Sequence, residues 1–177
     1  DRLITSNKNV IEIVNPVWKA MSMSADGKSV ILCDNSNVYY MINNTNVLVK
    51  LEFNYDNIVD VAINDQCSIT IACKDAVYFK KNNTNEWTKL NITYKEISGN
   101  ITSCCMSNDS NYIAICSSNG YMLMYQATNG NYNEAIEKNC NYSPSANNYS
   151  KIIGSLDLKV LYCISKSQKA ILMYTRI

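Results

Sequence analysis

The chain has 177 residues, 16 Lys and Arg against 15 Asp and Glu, a net charge of +1 and no histidine. That length fills one domain or one array of repeated units. The even charge balance gives no electrostatic footprint for nucleic acid or an anionic membrane surface, and without histidine no Ser-His or Cys-His nucleophile system can be assembled within the chain.

Residues 1–8 are polar, and Asn9–Val14 is a β-rich run stopped by Asn15-Pro16. Lys19 to Ser24 then alternates, and the hairpin signal Asp26-Gly27 follows. Val30 to Cys33 is a short buried strand, Val38 to Ile42 a third strand, and Val47 to Phe53 a fourth after an Asn-rich turn. The order recurs. Ile58 to Ile63, Ser68 to Cys73, Ala76 to Phe79 and Trp87 to Ile92 form a second group. Ile101 to Met106, Tyr112 to Cys116 and Tyr121 to Tyr125 begin a third, whose last member, Tyr132 to Lys138, reads as a ragged outer strand or a short helix. After a long loop holding Pro144 come Lys151 to Leu156, Lys159 to Ile164 and Ala170 to Tyr174.

Strands in groups of four at a period of about forty residues predict an all-β propeller of four-stranded antiparallel blades. The units run over about 17–55, 56–98, 99–140 and 149–177, in one domain covering 1–177. Cys33, Cys73, Cys116 and Cys163 each stand at the end of a second strand and set the period. The strand at 9–14 is an orphan, and the last unit lacks its fourth strand. Closure of a four-bladed ring by that N-terminal strand is therefore expected, with an arc of a larger propeller as the rival.

Ser24-Ala25-Asp26-Gly27-Lys28 before Val30-Ile31-Leu32-Cys33, and Ser107-Asn108-Asp109-Ser110-Asn111 before Tyr112-Ile113-Ala114, resemble the first hairpins of WD40 and sialidase-type (BNR) blades. The resemblance covers most of 18–174 and implies a fold class. No unit carries the Gly-His or Trp-Asp dipeptides of WD40 repeats, and the sialidase Asp-box is not intact. The three arginines with which sialidases grip a carboxylate are also missing, since only Arg2 and Arg176 are present.

The residue inventory predicts no catalytic, metal or cofactor site. Eight cysteines include no C-x-x-C pair and read as buried free thiols of a reducing, cytoplasmic compartment. Against that stand sequons at Asn43, Asn82, Asn91, Asn100, Asn108, Asn141 and Asn148, which fit a secreted or virion-associated alternative. No apolar run is long enough to span a membrane, and residues 1–10 lack the apolar core of a signal peptide. The function expected is a non-catalytic scaffold for protein–protein interaction or assembly, its partner another protein or assembly subunit, as a homo- or hetero-oligomer. The alternative is a glycan-binding propeller on an extracellular or virion surface. Partner contacts are expected on loops, at Asp34, Asn35, Asn37, Lys74, Asp75, Ser118, Asn119 and Tyr142.

Overall fold

The computed structural model describes residues 17–41, 47–92, 99–128, 131–132, 135–139 and 148–176. Among the described residues there is no helix. Sheet I contains β1 (Ala20–Met23), β2 (Val30–Cys33), β3 (Val38–Met41) and β4 (Val49–Leu51). Sheet II contains β5 (Ile58–Ile63), β6 (Ile69–Cys73), β7 (Val77–Lys80) and β8 (Thr88–Lys89). Sheet III contains β9 (Ile101–Met106), β10 (Tyr112–Ser117), β11 (Met122–Gln126) and β12 (Ala135–Asn139). Sheet IV contains β13 (Tyr149–Gly154), β14 (Val160–Ser165) and β15 (Ala170–Thr175). Each sheet is an antiparallel meander in chain order. The segment read as strand or helix is the strand β12. The fourth strands of sheets I and II are shorter than expected.

The first hairpin of each sheet closes alike. The N–H groups of Ser24, Asn64, Ser107 and Ser155 donate to the carbonyls of Ser29, Ser68, Tyr112 and Val160. In sheets I, III and IV the turn is Ser-x-Asp-x-x. The serine hydroxyl donates to the aspartate two residues on, at 2.7, 2.6 and 2.8 Å. That aspartate accepts the N–H of Lys28, Asn111 or Lys159, and the serine Oγ accepts the N–H of Ser29, Tyr112 or Val160. Each turn passes through a left-handed residue: Gly27 at φ 72°, Ser110 at 59° and Leu158 at 51°. Sheet II makes the turn one residue shorter. Asn64 Oδ1 accepts the Ser68 N–H, and Cys67 takes the left-handed place at φ 57°.

These turns put the four sheets in register. Strand β1 packs beside β5, β5 beside β9 and β9 beside β13, so the sheets stack in order through their first strands. Side chains alternate between faces, and each sheet turns one face backward and one forward in the stack. Sheet I presents Ile31, Cys33, Val38 and Leu51 to Val61, Ile63, Ile71 and Tyr78 of sheet II. Sheet II turns Ala62, Ala72, Val77 and Phe79 to Cys104, Ile113, Ile115 and Tyr125 of sheet III. Sheet III turns Ala114, Cys116, Met122 and Met124 to Ile152, Leu161 and Cys163 of sheet IV.

The register corrects the expectation that the marker cysteines are equivalent. Counted from the turns, Cys33 matches Ala72, Cys116 and Ile164. Cys33 and Cys116 point forward, whereas Cys73 and Cys163 point backward into the same two layers. The second strands of sheets III and IV also run one and two residues past their cysteines, to Ser117 and Ser165.

The stack ends in two uncovered faces. The backward face of sheet I carries Met21 and Met23, 67% and 61% exposed, beside half-buried Val30, Leu32, Tyr39 and Met41. The forward face of sheet IV carries Ile171 and Met173, 69% and 62% exposed, with Ile153, Tyr162 and Ile164 also exposed. A stack closed on itself would bury both faces, so the described residues form an open series. The 9–14 strand expected to complete sheet IV lies outside the described residues.

Candidate functional site

Three regions of the stack bear on function: the convergence of the first strands, the loop end opposite the Ser-x-Asp turns, and the two uncovered faces.

At the convergence a cavity of about 260 Å³ is lined from all four sheets, by Met21, Met23, Ile63, Met106, Lys151 and Gly154 among others. Beside it lies the buried carboxylate Asp60 on β5. Asp60 accepts the Ser103 hydroxyl and the Cys104 N–H at 3.0 Å. Both of its oxygens also meet Lys151 Nζ, at 2.8 and 2.7 Å. One ion pair thus ties β5, β9 and β13 together. Three of the four hydrogen bonds fall on Oδ2 and one on Oδ1, so both oxygens are engaged within the protein. A lone Asp inside the apolar run Ile58–Ile63 gives no local sign in the sequence of a partner 91 residues away.

The cysteines nearby are not activated nucleophiles. Burial pushes Cys33 up to about 11 and Cys73 and Cys116 to about 12, and it pushes Cys104 well above the usual thiol value. A thiol held protonated is a packing group, not a thiolate. The seven described cysteines are all free. Among the described residues no cluster of His, Cys, Asp and Glu has the makings of a metal site, and no helix is long and apolar enough to cross a membrane.

The candidate loops lie at the other end of the strands. Asp34 caps its own turn, accepting the N–H of Ser36 and Asn37 and the Asn37 amide. The Asn35 carbonyl accepts the N–H of Ile58 in sheet II, and the Lys74 carbonyl accepts that of Ile101 in sheet III. The Ser118 N–H donates to the Asn100 carbonyl, and the Ser118 hydroxyl accepts the Asn100 N–H. These turns therefore stand on one end of consecutive sheets and also hold them together. Asn35, Lys74 and Asp75 keep exposed side chains, while Asn37, Ser118 and Asn119 are half-buried. Tyr142 lies outside the described residues.

The Ser-x-Asp end is also laced across sheets. The Asp26 N–H donates to Asp65 Oδ1 and the Asp65 N–H to Asn108 Oδ1. The Asn108 N–H in turn donates to the Leu156 carbonyl. Each turn hands a donor to the next sheet. Asn108 also donates to Asp65 Oδ2 at 2.7 Å, so a glycan on this sequon would break the lacing. Beside these turns, sheets II and III border a polar cleft of about 600 Å³ lined by Gln66, Lys81, Asn82, Asp109 and Asn111.

No protein-family model matches the chain, and no curated protein matches it.

Proposed function

We propose that the four sheets are blades of a β-propeller and that the chain is a non-catalytic scaffold for protein–protein interaction or assembly. The observation that carries this reading is the pair of uncovered apolar faces at the ends of the stack. Contiguous exposed apolar surface of that kind marks an interaction site. The inventory supports it: there is no histidine, the carboxylates Asp26, Asp60, Asp109 and Asp157 are engaged in structural hydrogen bonds, and burial raises the thiols of Cys33, Cys73, Cys104 and Cys116 above their ordinary value. The reading is tested by cross-linking and mass spectrometry on the protein in its native setting. Cross-links to partner chains are expected from residues 17–50 and 151–176. Cross-links confined to the polar cleft would contradict it.

The glycan-binding reading draws on that cleft, whose amide and carboxylate side chains suit hydroxyl-rich ligands. Saturable binding of oligosaccharides, lost in N82A/D109A, would favour it.

A further inference from the structure

The uncovered faces are not two arbitrary patches. Counted from the first turn, Met21 and Met23 occupy the places of Val61 and Ile63, of Cys104 and Met106, and of Ile152 and Gly154. In sheets II, III and IV those places pack on the preceding sheet. Ile153 of sheet IV occupies the place of Ser22, Ala62 and Cys105, on faces that in sheets I, II and III pack on the following sheet. Its face-mates Tyr162, Ile164, Ile171 and Met173 follow by cross-strand register. The described residues therefore make one sheet-on-sheet junction three times and keep both unpaired halves of a fourth.

We infer that the forward face of sheet IV docks on the backward face of sheet I of a second copy of this chain. The inference rests on the scaffold reading above and names its partner. Three features fit this occupant. Each face carries an apolar cluster, Met21, Met23, Leu32 and Met41 on one and Ile153, Ile171 and Met173 on the other, with Lys50 opposite Tyr39 on the outer strand of the first. Lys151, the cation on the sheet IV face, is already paired with Asp60, so covering it strands no charge. The turn lacing runs from sheet I to sheet IV, leaving an acceptor-side turn at Ala25 and a donor-side turn at Leu156 as its two ends. Because the faces differ, the contact is head-to-tail, and it yields a closed ring or a growing series according to the angle between copies.

The test blocks one face at a time with a charge. Met21→Glu and Ile171→Glu alter exposed side chains, and a thermal melt checks that each variant stays folded. Native mass spectrometry across a range of concentrations should show the wild-type chain associating and each variant alone monomeric. Mixing the two should restore a 1:1 dimer, because M21E keeps an intact sheet IV face and I171E an intact sheet I face. A mixture that stays monomeric overturns the inference. So does M21E that still self-associates, which would mean sheet IV pairing with itself. A wild-type chain that is monomeric throughout also overturns it, and assigns the faces to other sheets or to a different protein. The scaffold reading would then be judged by its own cross-links.

Discussion

Asp60 and Lys151 show what a single buried pair does in this stack. The Asp60 side chain is 2% exposed and that of Lys151 41%, so the two partners are not symmetric. Lys151→Met leaves a carboxylate buried with only the Ser103 hydroxyl and Cys104 N–H as donors. We expect a loss of about 2–4 kcal/mol, below the ~3–5 of a fully buried pair because Lys151 is partly solvated. Chemical denaturation of K151M, and of D60N/K151M with part of the loss restored, checks this. Gly99 is a second sensitive residue. It sits at φ +129°, and an added Cβ would fall 2.6 Å from the Asn119 side chain. Gly99→Ala should cost about 1–3 kcal/mol, read as a lower melting temperature. Neither residue is legible in the sequence: Asp60 depends on a contact across two sheets, and Gly99 on a loop meeting that no local pattern encodes.

At the scale of elements, the strands were legible because they alternate and are bounded by Asn, Asp, Ser and Gly. Val30–Cys33, Ile58–Ile63 and Ile101–Met106 end where the pattern says. The Ser-x-Asp turn was legible at Ser24 and Ser107 but not at Ser155. There Leu158 takes the left-handed place that Gly27 fills in sheet I, and its apolar side chain hides the turn. Sequence placed the four cysteines as equivalents because spacing alone cannot see the one-residue offsets at Cys73 and Cys163. The turns also predict an acid response. Hydrogen bonds from the Lys28 N–H and the Ser24 hydroxyl, with the Lys28 ammonium, lower Asp26 from 3.8 to about 2. Burial raises Asp109, but the Ser107 hydroxyl and Asn111 outweigh it and leave it lowered. The Lys159 N–H and the Ser155 hydroxyl lower Asp157. A folded value below the unfolded one makes the contribution complete above about pH 4 and lost as pH falls toward about 2. The melting temperature should therefore fall steeply over that window, with a flatter acid limb in D26N/D109N/D157N. Ser107→Ala, which strands the buried end of one turn, should cost about 1–3 kcal/mol, measured by denaturant unfolding.

At the scale of the molecule, association depends on which way each sheet faces. The repeat pattern predicted stacked four-stranded units and a ring closed by the 9–14 strand, whereas the described residues form an open series, because closure depends on faces that only the register fixes. Methionines report those faces directly. Met21, Met23 and Met173 lie on the two open ends, while Met122 and Met124 are 3% and 1% exposed inside the junction of sheets III and IV. The most direct measurement is residue-resolved methionine oxidation of the dilute chain by hydrogen peroxide. Met21, Met23 and Met173 should oxidise first, and Met122 and Met124 should resist until the chain unfolds. Raising the protein concentration should slow the exposed three together. Met122 oxidising as fast as Met173, or Met21 and Met23 resisting in the dilute chain, would contradict this placement of the faces.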